Sequence, residues 1–385
     1  MSIIIPANSA AGGGYEVSNS LRFNSGSSDY LNRTLGTPTL ATKNTLSIWF
    51  KKAKLGADQS MILGNGNQGG INLHNDDGVV FYNAGGSLRT NRKLRDTSAW
   101  YNLVVVTDTT LNTATDRLKM YINGVQETSF SSSGNPSQNA ASNLGSATAH
   151  NIGVNNSPAN YFNGYMSEFV FIDGTALDPT SFGEFDEDSS IWKPIDVSGL
   201  TFGKNGFYLE FGNSGALGTD SSGEGNTFAV NNLTAIDQST DTCTNNFATM
   251  NPLDNYWQGS AFSEGSLTVT TTNASQSYNT SSIMVSSGKW YVECKPVSGG
   301  SEPEIGIFSK LTGANAGNNS QLSYNANGYA YRASDPGSVW YNGSAVSTSF
   351  SQYANGDIVG IALDLDNNKL YFSKNGTFGN SGNPT

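Results

Sequence analysis

The chain has 385 residues, long enough for two or three domains with their own cores, and only 13% of them are charged. A formal net charge of −11 with no basic stripe argues against a phosphate backbone as partner, and no apolar run is long enough to insert into a membrane. Two cysteines (Cys243 and Cys294) and two isolated histidines (His74 and His150) supply neither a disulfide framework nor a zinc site, so two unpaired thiols from a reducing cytoplasm are expected.

The charge is uneven. Residues 1–183 balance 12 basic against 12 acidic groups, residues 184–260 hold 2 against 11, and residues 261–385 hold 6 against 8. The acid therefore concentrates in the middle of the chain. No segment shows sustained apolar periodicity at 3.6 residues, and 44 glycines crowd the stretches between short apolar runs. An all-β fold is expected, built from tandem antiparallel sandwiches.

Residues 1–17 read as an arm: a short IIIP strand and a glycine run, without the basic region of a signal peptide. Its exposure makes it the expected anchor to a larger assembly. SLRFNSGSSDYLN (20–32) and LSIWFKK (46–52) alternate as half-buried strands do, and SMILGN, GINLHN and GVVFYN follow as short strands. Val104–Thr128 (VVVTDTTLNTATDRLKMYINGVQET) is a hairpin: an apolar strand ending in Asp, a polar turn, an alternating strand, then Asn-Gly. The same layout returns at Val359–Gly379 (VGIALDLDNNKLYFSKNGTFG). Asn-Gly tolerates the positive φ of a type I′ turn, so both stretches read as hairpins of equivalent modules. Between the modules, GFYLEF reads as a strand, Trp192 and Phe202 call for burial, and 184–259 reads as an acidic folded connector. The expected boundaries are 1–17, 18–183, 184–259 and 260–385.

SLRFNSGSSDYL, LSIWFKK, AWYNLVVVTD, RLKMYINGV and YFNGYMSEFVFIDGTALDPTSF appear in that order over 18–183. Together they resemble the laminin G-like, concanavalin A-like jelly roll. GKWYVECKP (288–296), EIGIFSK (304–310) and DIVGIALDLDNNKLYFSKNG (357–376) resemble a SPRY domain over 260–385. In that family further strands follow the Asn-Gly hairpin, so a truncated domain, or one completed by another chain, is expected. The order of the two modules, with GTDSSGEGNTF and DTCTNNFATMNP between them, resembles virion proteins of phages of marine bacteria. That resemblance implies a structural tail fibre or appendage in the virion, made in the host cytoplasm. It also implies other virion proteins and further copies of the chain as partners.

Chemistry-bearing patterns are few. Glu184, Asp186 and Asp188 approach the paired carboxylates of a retaining glycosidase, but they follow the last sandwich strand and read equally as a solvated acidic turn. Asn75, Asp76, Asp77 and Asn155 are oxygen donors suited to Ca2+, although Asp-Asp-Gly is equally a turn that needs no metal. No nucleophile elbow or phosphate loop is present, so no catalysis is expected. Binding is the remaining chemistry. Sugars are met by aromatic faces and amides, and the candidates are Tyr329, Tyr331, Trp340, Tyr341 and Asn342 in the second module. Asn155, Asn156, Asn160 and Tyr161 play the same part in the first. Tyr329, Tyr331 and Trp340 also fit as ordinary strand aromatics, and Trp49, Trp100 and Trp290 fit as core residues. The expected function is attachment to a host-surface glycan. The alternatives are capsid decoration without sugar binding, or depolymerisation of a glycan.

Overall fold

Short β-branched and aromatic runs separated by Gly, Asn and Ser turns form strands throughout the described residues. The structure is a computed structural model that describes residues 14–256, 260–271, 278–298, 303–309, 321–334 and 336–384. Helix among the described residues is limited to 3-10 turns, none long and apolar enough to cross a membrane. The IIIP segment lies outside the described residues. The described residues fall into two compact units: those up to Pro252 with Ala261–Thr270, and those of Leu253–Ser260 and from Thr271 onward.

In the first unit the strands are β1 (Ser20–Phe23), β2 (Tyr30–Thr34), β3 (Lys43–Lys52), β4 (Gln59–Gly64), β5 (Gly69–Leu73) and β6 (Val79–Asn83). They continue with β7 (Gly86–Thr90), β8 (Trp100–Asp108), β9 (Leu118–Ile122), β10 (Val125–Gln126), β11 (Phe130–Gly134) and β12 (Ala149–Ile152). The last are β13 (Gly164–Asp173), β14 (Gly183–Phe185), β15 (Trp192–Pro194), β16 (Phe207–Leu209), β17 (Ala229–Asn231) and β18 (Gln238–Ser239). One eight-stranded sheet runs β10-β9-β8-β3-β13-β1-β18, with β16 also on β13. The other runs β11-β7-β6-β5-β4-β12-β2-β17. Leu21, Phe23, Leu46, Ile48 and Phe50 of the first sheet pack against Ile62, Ile71, Phe81 and Ile152 of the second as one core.

The half-buried reading of LSIWFKK fails. Every β3 residue after Lys43 is buried, as are all ten of β13. The cause is the acidic folded connector, whose residues up to Pro252 belong to this same unit. It lends β16 and β18 to the first sheet and β17 to the second; Phe211, Leu217, Phe228 and Leu233 join the main core, and Trp192, Val197 and Phe202 lie over the first sheet's outer face. There Val104, Val106, Val170 and Ile172 pack with Val197, Phe202 and Tyr208, and Trp49, Trp100 and Tyr165 pack with Trp192. The sheet therefore needs apolar residues on both faces, which erases the alternation. Trp49 and Trp100 are buried as expected, but under this outer layer and not between the sheets. Lys51 Nζ, on the same face, lies 2.9 Å from Asp241 Oδ2 and donates to Asn246 Oδ1 and the Phe247 carbonyl at 2.8 and 2.6 Å. Trp100 Nε1 donates to the other Asp241 oxygen at 3.0 Å.

β19 (Met250–Tyr256) pairs with β22 (Tyr278–Ser281), and both β19 and the hairpin of β20 (Ser260–Ser263) and β21 (Thr268–Thr271) span the unit boundary. Next come β23 (Lys289–Cys294), β24 (Glu304–Phe308), β25 (Gly328–Arg332), β26 (Gly337–Tyr341) and β27 (Ser344–Phe350). The chain ends with β28 (Val359–Asp364), β29 (Lys369–Lys374) and β30 (Thr377–Phe378). Two four-stranded sheets, β23-β28-β29-β30 and β24-β25-β26-β27, share a small core of Tyr331, Val339, Tyr353, Val359, Ile361 and Phe372. Both marked hairpins are present: Asn123 and Gly124 have φ of 49° and 74°, Asn375 and Gly376 of 49° and 79°. These are the left-handed pairs that the type I′ reading requires. Trp290, expected in a core, is only half-buried on the edge strand β23.

Candidate functional site

The outer face of the first sheet is covered, and among the described residues the outward face of the second sheet carries partly exposed side chains. Residues directly opposite one another on neighbouring strands share a face, so the register assigns its side chains. Tyr30 stands opposite Asn231, Asn32 opposite Asn151, Asn72 opposite Val80, and Tyr82 opposite Ser87. All of these are partly exposed, and with Arg89, opposite Val80 and Ser132, they make a surface of amides, hydroxyls and tyrosine rings. Asn72 Nδ2 donates to the Tyr82 hydroxyl at 3.1 Å, and Asn231 Nδ2 to Asn32 Oδ1 at 3.1 Å. Asn72 Oδ1 and Arg89 Nε have no protein partner and are shielded by their neighbours. Gly70, between Leu63 and Tyr82, has a φ of 157°, and a Cβ there would lie 2.1 Å from the Ile62 carbonyl oxygen. Only glycine keeps this part of the sheet in register.

The loop from Gly153 to Phe162 is closed at its base by Phe162 N–H donating to the Gly153 carbonyl, and Ser60 N–H donates to the Asn160 carbonyl. It folds back over β12 and β4, because Asn156 N–H donates to Asn67 Oδ1 at 2.7 Å and the Asn151 and Asn156 amides lie 2.8 Å apart. The outward-facing Leu63 is buried accordingly. Tyr161 comes to a ring separation of 6.5 Å from Tyr30. Asn155, Asn156, Asn160 and Tyr161 therefore do gather at one place, against the open face. Asn155 Oδ1 is used internally, accepting from Ser157 and Ala159 N–H. Sequence reading missed Tyr30, Asn32, Asn72, Tyr82, Arg89 and Asn151. Their signal was the outward parity of short strands, visible only once register was known.

The second-module set is divided. Tyr331 is buried in the small core, ringed by Phe350, Tyr353 and Phe372, so it is a packing residue. Trp340 lies on the opposite face of its sheet. The Arg332 guanidinium covers it at 4.7 Å and Tyr324 flanks it at 6.0 Å. Arg332 in turn pairs with Glu304 at 3.2 Å, which accepts from the Ser323 backbone and hydroxyl. That stack ties Leu322–Tyr324 to the sheet. Tyr329 and Tyr341 are directly paired, their rings stacked at 4.7 Å and 20°, beside the exposed turn residue Asn342. The five candidates thus fall into a core residue, a stacked structural residue and an exposed pair with its turn.

The calcium donors do not converge. Asp76 Oδ2 accepts from Arg89 at 2.8 Å and also from Lys93, while Asp77 faces Lys52 at 2.9 Å and Arg95 at 3.2 Å. The Lys93 ammonium and its neighbours hold the Asp76 carboxyl well below the usual range. A divalent cation would have to displace four basic side chains. Among the described residues no group of three or more His, Cys, Asp or Glu side chains is placed to hold a metal ion. Glu184 and Asp186 flank Lys193 Nζ at 3.3 and 3.4 Å on the β14–β15 hairpin, and Asp186 Oδ1 accepts from Ser189. With Asp188 exposed beside them, they form a solvated turn on the hairpin, not a pair facing a sheet. His150 sits on β12, not in a loop. Its Nε2 accepts from Gly145 N–H, its Nδ1 donates to the Thr148 carbonyl, and burial pushes its pKa down to about 4.

Residues 25–180 match the family model described as the concanavalin A-like lectin/glucanases superfamily. The fold of this segment is that of a concanavalin A-like jelly roll. Domains LG4-5 of the mouse laminin α1 chain are similar at 8% identity and a TM-score of 0.33, over 95% of this chain and 78% of that one. Domain 4 of AbnA, a GH43 extracellular arabinanase from Geobacillus stearothermophilus solved with arabinotriose, is similar at 21% identity and a TM-score of 0.28, covering 37% and 65%. A Bacteroides ovatus protein is similar at 14% identity and a TM-score of 0.36, and this chain spans 60% of its length. No curated protein matches. The matched residues hold β2 to β13, while β1 precedes them and β14 to β18 lie beyond them.

Proposed function

We propose that the jelly roll binds carbohydrate through the outward face of its second sheet, without acting on it. The observation that carries this reading is the asymmetry of the two sheets. One outer face is closed by residues from 184–252, and the other is left open with Tyr30, Tyr82 and Tyr161 among the amides of Asn32, Asn72, Asn151 and Asn156. Tyrosine rings suit the C–H faces of a sugar ring, and amides, each with donors and an acceptor, suit its hydroxyls. The match to a lectin and glucanase family supports the ligand class. The pairing of Glu184 and Asp186 with Lys193 argues against a hydrolase that uses them.

The wider setting is a phage virion, in which the chain serves as a tail fibre or similar appendage on a host-surface glycan, acting by avidity across copies. This part rests on the order of sequence motifs and on the SPRY resemblance of residues 260–385. Capsid decoration is its rival.

The test is an oligosaccharide array probed with the full chain and with Asn72→Ala/Tyr82→Ala. Binding of a defined glycan class that falls at least tenfold in the double variant supports the proposal. Silence across the array, or binding that the variant keeps, overturns it.

A further inference from the structure

We propose that the side chains of Lys51 and Asn246 join in an amide bond that the chain forms on itself, with Asp241 moving the proton. Lys51 lies on β3 and is 1% exposed, and Asp241 is 4% exposed in the layer that covers the first sheet. Lys51 Nζ is 2.8 Å from Asn246 Oδ1 and 2.9 Å from Asp241 Oδ2. An amine, an amide carbonyl and a carboxyl group therefore meet in one enclosed place, beside the rings of Trp100 and Tyr165. Such proximity replaces an encounter between separate molecules with a step inside one fold.

The hydrogen bonds around the three groups fix their roles. Asn246 Nδ2 donates to the Ser98 carbonyl at 2.7 Å, so its carbonyl side is the one that faces Lys51. Trp100 Nε1 and Phe247 N–H donate to Asp241 Oδ1 at 3.0 and 3.2 Å. That leaves Oδ2, the oxygen facing Nζ, to carry a proton. Burial pushes the Lys51 pKa down further than Asp241 and Asp96 hold it up, which favours the uncharged amine that a nucleophile must be.

The step balances. Asp241 takes a proton from the Lys51 ammonium, and Nζ turns its lone pair to Asn246 Cγ and bonds to it. Asp241 passes that proton to Nδ2, the Cγ–Nδ2 bond breaks with its electron pair going to nitrogen, and ammonia leaves. The surplus proton on Nζ returns through Asp241 and departs with the ammonia. An ammonium and an amide have become an amide and an ammonium, with no change of oxidation state. The product ties β3 covalently to the layer over it.

The experiment is peptide mass mapping of the full chain, with Asp241→Asn and Asn246→Ala beside it. The expected wild-type result is a branched peptide that joins the Lys51 segment to the Asn246 segment and is lighter than the two together by one ammonia. Both variants should give the linear peptides alone. The wild-type map decides whether the bond exists, even if a variant fails to fold. Linear Lys51 and Asn246 peptides of full mass from the wild type overturn the proposal. A branched peptide joined at Asp241 and lighter by one water overturns the choice of Asn246, and a branched peptide that persists in Asp241→Asn overturns the role of Asp241.

Discussion

Glu168 shows how one residue couples the layers of the first unit. It occupies a β-bulge in β13 with a φ of 46°, where the register against β3 shifts between Ser167 and Val170. The bulge turns Glu168 away from the main core, and Phe169 and Phe171 resume the inward positions that Met166 held before it. The carboxylate then accepts from the Tyr208 hydroxyl at 2.7 Å and the Tyr15 hydroxyl at 3.1 Å. Burial raises its pKa to about 7. Between about pH 4.5 and 7 the unfolded chain has lost this proton while the folded chain keeps it. Stability therefore falls by about 3 kcal/mol as pH rises through that window. His150, held down near 4 by burial, works the other way: its contribution is lost as pH falls from about 6.5 to 4. The two nearly cancel in the wild type. In melts from pH 4.5 to 7, Glu168→Gln is predicted to gain stability relative to wild type as pH rises. A wild-type to variant difference independent of pH contradicts the assignment.

At the scale of elements, the layer formed by residues 184–252 decides which surface is free to bind. Trp192 is its wedge: Nε1 donates to Asn102 Oδ1 at 3.0 Å, Phe185 meets its ring edge-on at 4.9 Å, and Gly124 is bare where a Cβ would lie 2.3 Å from the indole. Trp192→Ala is predicted to cost about 3–5 kcal/mol in chemical denaturation. Lys51 and Asp241 tie the same layer to β3. Lys51→Met alone leaves a buried carboxylate uncompensated and should cost about 3–5 kcal/mol, whereas Lys51→Met with Asp241→Asn should cost distinctly less. Equal losses in the single and double variants would show that the pair is not coupled.

How far these elements were legible in the sequence differs by cause. The Asn-Gly hairpins were legible because the positive-φ turn is a local demand that two residues satisfy. The covering layer was not, since a strand of three residues such as β16 carries no periodicity, and a sheet buried on both faces loses its alternation. The outward face was half legible. Asn156 and Tyr161 lie in one loop and stand out together, while Tyr30, Asn72 and Tyr82 come from three strands that only register unites. Trp340 and Tyr331 stayed ambiguous between a site and ordinary strand packing, because an aromatic in a polar context reads the same whether it faces a ligand, an arginine or a core.

For the whole molecule, division into two units predicts two unfolding steps in calorimetry of the full chain, with Trp192→Ala lowering only the step that belongs to the first unit. A single transition that moves as a whole contradicts that division. The first unit is the larger and holds the main core. The second holds a small core. The central claim is the location of the binding face, and amide chemical-shift mapping of the full chain with an array-identified oligosaccharide tests it most directly. The account predicts shifts concentrated at Tyr30, Asn32, Asn72, Tyr82, Arg89, Asn151 and Tyr161. Shifts confined to Tyr329, Tyr341 and Asn342, or to the Glu184–Asp188 turn, would contradict it.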